Sequence, residues 1–307
     1  MRLPKLLPPF KELRGVIGIG VNEDLDSWNK IFQGFQNIHT QFPQTSLSIY
    51  AKKSPFKLRV FSSQVSLKIS EKPELNLIQD LKQGFIKGAI RGSFSSTDFL
   101  QCVMQEFSVS RVNRIALLES ATGHHFWFAP VGIDEGNTYE SRRDFVEFAI
   151  RLLETCQVLP NIGILSKGRR GDAKRATFIK ESLEDNQRLV EEIARAYPGI
   201  IINHDEILLE NTILKQRNFV LAPDGVSGNL IYRTLVHLGQ GKAYGAVYRG
   251  KPLEQYAIID TSRSGSLEEI EGAMILALVF GTSSIDAGRN ETQVKSLETS
   301  RSSSREA

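Results

Sequence analysis

From Gly15 to Phe280 short β-rich runs alternate with longer amphipathic ones, and this alternation limits the possible folds more than any other feature of the chain. Strands separated by helices are joined by right-handed crossovers and stack as α/β layers around a parallel sheet. Strands are predicted at Val16–Gly20, Leu47–Ala51, Leu58–Phe61, Arg114–Glu119, Trp127–Pro130, Asn161–Leu165, Ile200–Asn203, Phe219–Ala222, Ala243–Tyr248 and Ala257–Asp260. Helices are predicted at Asp26–Ile38, capped by Asp26 or Ser27, and at Leu75–Lys82, Thr97–Phe107, Tyr139–Val158, Ala173–Ala196, Glu206–Leu214, Gly228–Leu238 and Ser266–Phe280. The period is clearest in Tyr139–Val158. There Phe145, Phe148, Ala149, Leu152, Leu153 and Cys156 fall at i, i+3, i+4, i+7, i+8 and i+11, one face of an α-helix. On that face Cys156 reads as a core residue rather than a nucleophile. Binding groups in such sheets gather in the loops after the carboxyl ends of strands.

Composition narrows the function. The 307 residues correspond to about two domains, or to one large one. A hydrophobic share of 41% and a charged share of 24% exclude a disordered or fibrous chain. Lys+Arg number 38 against 35 Asp+Glu, and the resulting net charge of +3 is too small to imply nucleic acid or an anionic membrane as the main partner. Any basic site is therefore local. Two cysteines, Cys102 and Cys156, make neither a disulfide framework nor a four-ligand metal site. His124 and His125 are adjacent and His39, His204 and His237 are scattered, which is no metal-ligand spacing. No apolar run approaches the roughly 18 residues of a membrane span, and Met1–Phe10 holds no signal-peptide core. The expectations are a cytoplasmic protein with no metal, no membrane and no nucleic acid. Residues 282–307, rich in Ser, Thr, Glu and Arg, read as a disordered tail. No P-loop, GxGxxG or GxSxG occurs; Gly18-Ile19-Gly20 is followed by Glu23 where a third glycine would stand.

Three loops after predicted strands could carry chemistry. Leu165-Ser166-Lys167-Gly168-Arg169-Arg170-Gly171-Asp172 offers a hydroxyl, cations and glycines ahead of a helix, a setting that favours anions, although on its own it reads first as a solvated charged loop. Ala222-Pro223-Asp224-Gly225-Val226-Ser227-Gly228-Asn229 reads as a turn with Ser227 as cap, which leaves Asn229 just inside the helix unexplained. In Asp260-Thr261-Ser262-Arg263-Ser264-Gly265-Ser266, Ser266 and Glu269 match a capping box, so Glu269 is either a cap or a catalytic carboxylate.

In this order the loops resemble those of the phosphate acetyltransferase/phosphate butyryltransferase superfamily. Phe219–Pro252 is similar to that family's Pro-Asp-x-x-x-Gly-Asn-x-x-Tyr-Lys segment and following Gly-Pro-x-x-x-Gly turn. Pro223, Asp224, Gly228, Asn229 and Tyr232 match, with Arg233 for Lys; Gly245 and Gly250 match, with Ala246 for Pro. Ser262-Arg263 and Leu165-Ser166 match the family's Ser-Arg and Leu-Ser pairs, and Lys87-Gly88 lies in a region like its Val-x-Gly segment. The likeness spans residues 75–281. Ala129–Gly136 and Leu165–Asp172 most resemble the methyltransferase-related MtxX (methanogenesis marker) branch of methanogenic archaea, although neither an S-adenosylmethionine loop nor a corrinoid-binding motif is visible.

The resemblance implies a two-domain α/β fold of the phosphate acetyltransferase and isocitrate-dehydrogenase-like type with an interdomain cleft. Its first domain would hold residues 1–142 plus 258–281 and its second 143–257. In the acyltransferases phosphate and coenzyme A exchange an acyl group in that cleft. Carried over by position, Ser262 would hydrogen-bond the reacting carbonyl or phosphate, Arg263 would bind phosphate, and Glu269 would stand for the Asp that takes the coenzyme A thiol proton. Ser166, Lys167, Arg169 and Asn229 would help bind the substrate. After Ser96-Thr97-Asp98-Phe99-Leu100 the family carries a phosphate-binding Arg; here Gln101 follows, with Arg91, Arg111 or Arg114 as stand-ins. The implied ligand is a small phosphate compound or acyl-coenzyme A, with coenzyme A as a substrate and no bound cofactor, in a homodimer. Two other readings share this fold: a subunit of a methyltransferase complex in methanogen metabolism, and a non-catalytic phosphate- or nucleotide-binding protein.

Overall fold

The computed structural model describes residues 3–56 and 63–282. The strands are β1 (Gly15–Gly20), β2 (Thr45–Ala51), β3 (Val65–Ile69), β4 (Gly88–Ile90), β5 (Asn113–Glu119), β6 (His125–Ala129), β7 (Asn161–Leu165), β8 (Ile201–Glu206), β9 (Phe219–Leu221), β10 (Lys242–Arg249) and β11 (Ala257–Asp260). The helices are α1 (Leu25–Gln41), α2 (Pro73–Lys82), α3 (Ser96–Phe107), α4 (Tyr139–Thr155), α5 (Thr177–Ala196), α6 (Leu209–Leu214), α7 (Gly225–Arg233) and α8 (267–282). The predicted strand at Leu58–Phe61 lies outside the described residues, as does the predicted tail from residue 283 onward; Thr282, the last described residue, belongs to α8.

The strands form one sheet of 11 in the order β3-β2-β1-β4-β11-β10-β5-β6-β9-β7-β8. It is a mixed sheet. β3, β2, β1, β4 and β11 run parallel to one another. β6, β9, β7 and β8 form a second parallel group. Between them β10 is antiparallel to β11 and β5, and β5 is antiparallel to β6. Three reversals across the middle leave the two parallel groups pointing in opposite directions, so the expected α/β layers on parallel strands are present as two groups joined by an antiparallel middle. The reason is connection length: β5 turns into β6 through residues 120–124 alone, which suits a hairpin and is too short for a crossover.

Opposed groups would normally send their carboxyl-terminal loops to opposite edges. Register prevents that. Asp260, the last residue of β11, lies level with Ala246 of β10, Ala116 of β5, Phe128 of β6 and Val220 of β9. Val220 is one residue short of the end of β9. The carboxyl ends of the two groups therefore meet at one level near the centre of the sheet, and the loops after β9 and β11 face each other across β10, β5 and β6.

α8 closes the core. Its residues from Ala273 to Phe280 are all buried, as expected of a helix that is apolar all round. Asn37 of α1 donates to Glu271 at 2.5 Å, and the ring of Phe280 meets that of Trp127 in β6 at 6.3 Å between centroids. α8 thus touches elements of both strand groups. Cys156 is buried, and burial pushes its thiol up to about 12, in keeping with a core residue.

Candidate active site

Where the opposed carboxyl ends meet, a cleft of about 420 Å³ opens, lined by Arg91, Ser96, Arg114, Asn229, Tyr232, Arg233, Gly245, Ala246, Asp260, Ser262, Arg263, Ser264 and Glu269 among others. Of the expected site residues, Asn229, Ser262, Arg263 and Glu269 come together here. Ser166, Lys167 and Arg169 are not among its lining residues.

The cleft's floor is a buried ion network. The Asp260 carboxylate accepts hydrogen bonds from Arg91 Nε on one oxygen and from Arg114 Nη1 at 2.9 Å on the other. Arg114 Nε also donates to Glu135 at 2.6 Å. Burial alone would push the Asp260 carboxyl up, but the Arg91 and Arg114 guanidiniums outweigh it and hold the group below its ordinary value. Two of the three arginines expected to stand in for the missing phosphate-binding Arg, Arg91 and Arg114, therefore line the cleft, yet each is already bound to a carboxylate. Arg111 pairs instead with Asp144 at 3.0 Å, away from the cleft lining, and Gln101 lies on a different groove beside Cys102.

One wall is α7. Its cap is Asp224, whose carboxylate accepts from the Ser227 N–H at 2.8 Å, so the helix starts three residues earlier than predicted and Ser227 is not its cap. Asn229 then falls in the second turn, where its side-chain amide donates to the Val131 carbonyl at 2.9 Å and ties α7 to the loop after β6. Gly228 makes that approach possible: a Cβ on it would stand 1.9 Å from the Pro130 carbonyl oxygen. Gly228→Ala is expected to lower stability by about 1–3 kcal/mol through overpacking, measured as a fall in melting temperature; an unchanged temperature would mean that the loop after β6 yields freely. Gly245, with φ of +100°, sits in the irregular stretch of β10 between Ala243 and Ala246 and turns this strand at the cleft.

The facing wall is the loop between β11 and α8. Ser266 Oγ accepts from the Glu269 N–H at 3.2 Å, which is half of the predicted capping box. The other half is not formed. Instead Glu269 Oε1 accepts from the Ser262 N–H at 2.6 Å and from the Tyr232 hydroxyl at 3.3 Å. Glu269 thereby links the β11–α8 loop to α7 across the cleft. Glu269 is 2% exposed, and burial pushes the pKa of its carboxyl up, with Asp260 nearby adding to the shift. Arg263 and Arg233 are exposed, and neither guanidinium makes an ion pair or hydrogen bond with a described residue.

The loop after β7 is organised differently from the prediction. α5 begins at Thr177, and a 3-10 turn at Arg170–Asp172 separates it from Lys167. Ser166 is fully buried; its hydroxyl donates to the Gly168 carbonyl and meets His204 Nε2 at 3.0 Å. Lys167 pairs with Asp224 at 3.1 Å, which steadies the cap of α7 from outside the cleft. Arg169 is exposed. No cluster of metal-ligating side chains occurs among the described residues, and no described helix is long and apolar enough to cross a membrane.

No family model matches the chain. Curated relatives do. A protein named "Putative methyltransferase mtx subunit X" from Methanosarcina mazei is 36% identical over 64% of this chain and 68% of its own length. "Uncharacterized methyltransferase MJ1371" from Methanocaldococcus jannaschii is 29% identical over 68% of this chain and 85% of its own. Among solved structures, a branched-chain phosphotransacylase from Enterococcus faecalis superposes with a TM-score of 0.64 at 14% identity, covering 86% of this chain and 98% of that one. A phosphotransacetylase from Streptococcus pyogenes gives 0.63 at 15% identity, covering 89% and 94%. A 4-hydroxythreonine-4-phosphate dehydrogenase from Klebsiella pneumoniae gives 0.55 at 8% identity, covering 87% and 99%. The fold is that of the phosphotransacetylases and their dehydrogenase neighbours, and by sequence the chain belongs to the mtx subunit X (MtxX) family.

Proposed function

We propose that the protein is a phosphotransacetylase-like transferase that acts in this cleft on a phosphate- or coenzyme-A-linked acyl substrate. One observation carries the reading: Asn229, Ser262, Arg263 and Glu269, drawn from oppositely directed strand groups, line a single cleft on a phosphotransacylase fold. In the reaction a thiol attacks the acyl carbonyl of an acyl phosphate, the thioester forms and phosphate leaves. Arg263 offers the leaving phosphate a planar fork of donors with no competing acid. The Ser262 hydroxyl lies beside it and can donate to the carbonyl oxygen as charge develops there. Glu269 Oε2 makes no hydrogen bond with a described residue and is the atom available to take the thiol proton. A carboxylate whose pKa burial has raised is a better match to a thiol than an exposed one.

The names of the relatives favour a second reading, a methyltransferase-related subunit on the same fold. One screen separates the two, because a ligand that binds only the native state raises its melting temperature. Coenzyme A, acetyl phosphate and phosphate are expected to raise it and S-adenosylmethionine to leave it unchanged. Arg263→Ala is expected to weaken phosphate binding roughly ten- to a hundredfold, with Arg263→Lys recovering part of the loss. Stabilisation by S-adenosylmethionine alone would overturn the acyl-transfer reading in favour of the other.

A further inference from the structure

Six charged side chains line the cleft: Arg91, Arg114, Arg233, Arg263, Asp260 and Glu269. Arg91 and Arg114 already bind Asp260, and Arg114 also binds Glu135. That leaves two cations, Arg233 and Arg263, exposed to the cleft without an acid among the described residues. They arrive from different strand groups, Arg233 at the end of α7 after β9 and Arg263 in the loop after β11.

Their spacing is not left to loop mobility. The residue before each arginine is held by the same atom: Tyr232 OH and the Ser262 N–H both donate to Glu269 Oε1, at 3.3 Å and 2.6 Å. One buried carboxylate oxygen thus ties the backbone at Ser262 to the side chain of Tyr232, the neighbours in sequence of the two arginines. Two unneutralised planar forks, set on opposite sides of one anchored group, suit a ligand with two negative charges and at least three acceptor oxygens. A terminal phosphoryl group has both properties. A carboxylate or a phosphodiester carries a single charge and would leave one cation unneutralised.

We propose that Arg233 is a second anion-binding residue, which with Arg263 clamps one dianionic phosphoryl group from both sides of the cleft, Glu269 and Tyr232 acting as positioning residues that set the clamp's width. This rests on the cleft being the substrate site and adds to it the ligand's charge and a residue from the opposite wall. A lysine at position 233 would supply the charge but not the fork, so the identity of this side chain bears on specificity as well as affinity.

The test is calorimetric titration of the full chain with inorganic phosphate and, separately, with dimethyl phosphate, a monoanion of similar shape. Parent protein is expected to bind phosphate more tightly than dimethyl phosphate. Arg233→Ala should weaken phosphate binding roughly ten- to a hundredfold, as Arg263→Ala does, and Arg233→Lys should recover part of it. The double variant should lose less than the product of the two single losses, because a clamp with one jaw missing has already released its ligand. Both side chains are exposed, so the variants should melt with the parent, and this is checked in the same samples. If Arg263→Ala loses phosphate while Arg233→Ala binds as the parent does, the clamp is wrong and the cleft reading survives. Equal binding of phosphate and dimethyl phosphate would also overturn the clamp. If the parent binds phosphate and neither variant is affected, phosphate sits elsewhere and both readings fall.

Discussion

Asp260→Asn is expected to lower the stability of the folded chain by about 3–5 kcal/mol, the usual cost of removing one partner from a buried ion pair. The measurement is the midpoint shift in urea denaturation. Asp260 is 8% exposed, and its two oxygens receive Arg91 and Arg114. Removing the charge does not affect the two arginines equally. Arg114 keeps Glu135 at 2.6 Å. Arg91 is 5% exposed and keeps only the carbonyls of Phe94 and Thr261, so it becomes the uncompensated buried cation. Arg91→Met in the Asp260→Asn background should therefore regain part of the loss, since an apolar side chain of similar length removes the orphaned charge. The pH dependence has a definite sign. A carboxyl held below its ordinary value stabilises the native state above the unfolded pKa, near 3.8, and that contribution is lost as pH falls through the lower folded value. The parent should lose this stability in acid and Asp260→Asn should not. A midpoint shift below about 1 kcal/mol would place the network in the class of exposed pairs and show that water reaches the cleft floor.

The sequence shows most of the elements and little of this network, for physical reasons. Amphipathic periods are local, so α4 is legible from Phe145, Ala149 and Leu152, whose buried faces the structure confirms. β4 has three residues and no alternation to detect, and β3 is an edge strand with no buried residue. The antiparallel pair β5 and β6 interrupts the strand–helix alternation, and its signal is length: Ser120–His124 is too short for a helix, and in the structure Gly123 turns there at φ of +82°. The Ser262-Arg263 and Asn229 motifs are contiguous and can be read directly. Arg91 and Asp260 are partners 169 positions apart, and no periodicity connects them. A buried charge pair is an outcome of register, and the register across β11, β10 and β5 depends on the irregular stretch at Gly245, which composition does not reveal.

Glu269→Gln is the substitution that separates chemistry from architecture. The amide oxygen, in the place of Oε1, can still accept from both the Ser262 N–H and the Tyr232 hydroxyl, while the amide nitrogen takes the place of Oε2. Both ties across the cleft survive, as does the Ser266 cap on the residue 269 N–H. What disappears is the capacity to accept a proton. If Glu269 is the base toward the thiol, acyl exchange between acetyl phosphate and coenzyme A should fall about 10²–10⁴-fold with binding of both ligands unchanged. If its role is only to hold the two walls, turnover should follow the parent's. A stability profile gives a second, independent reading. Burial raises the folded pKa of Glu269 above the ordinary 4.5. Between the unfolded and folded values the native state holds the proton more tightly, so this group makes stability fall as pH rises through that window and then level off. Glu269→Gln cannot ionise and should lack that decline, whichever role the residue plays in turnover. Glu269→Asp inverts the comparison. It keeps the proton acceptor and shortens the side chain by one methylene, so it should lose the reach to Ser262 or Tyr232, weakening the hold on the Arg263 loop. Its defect should appear in phosphate affinity before it appears in the rate at saturating ligand. A Gln variant with full turnover, beside an Asp variant with weakened binding, would assign Glu269 to positioning alone and leave the thiol proton to solvent.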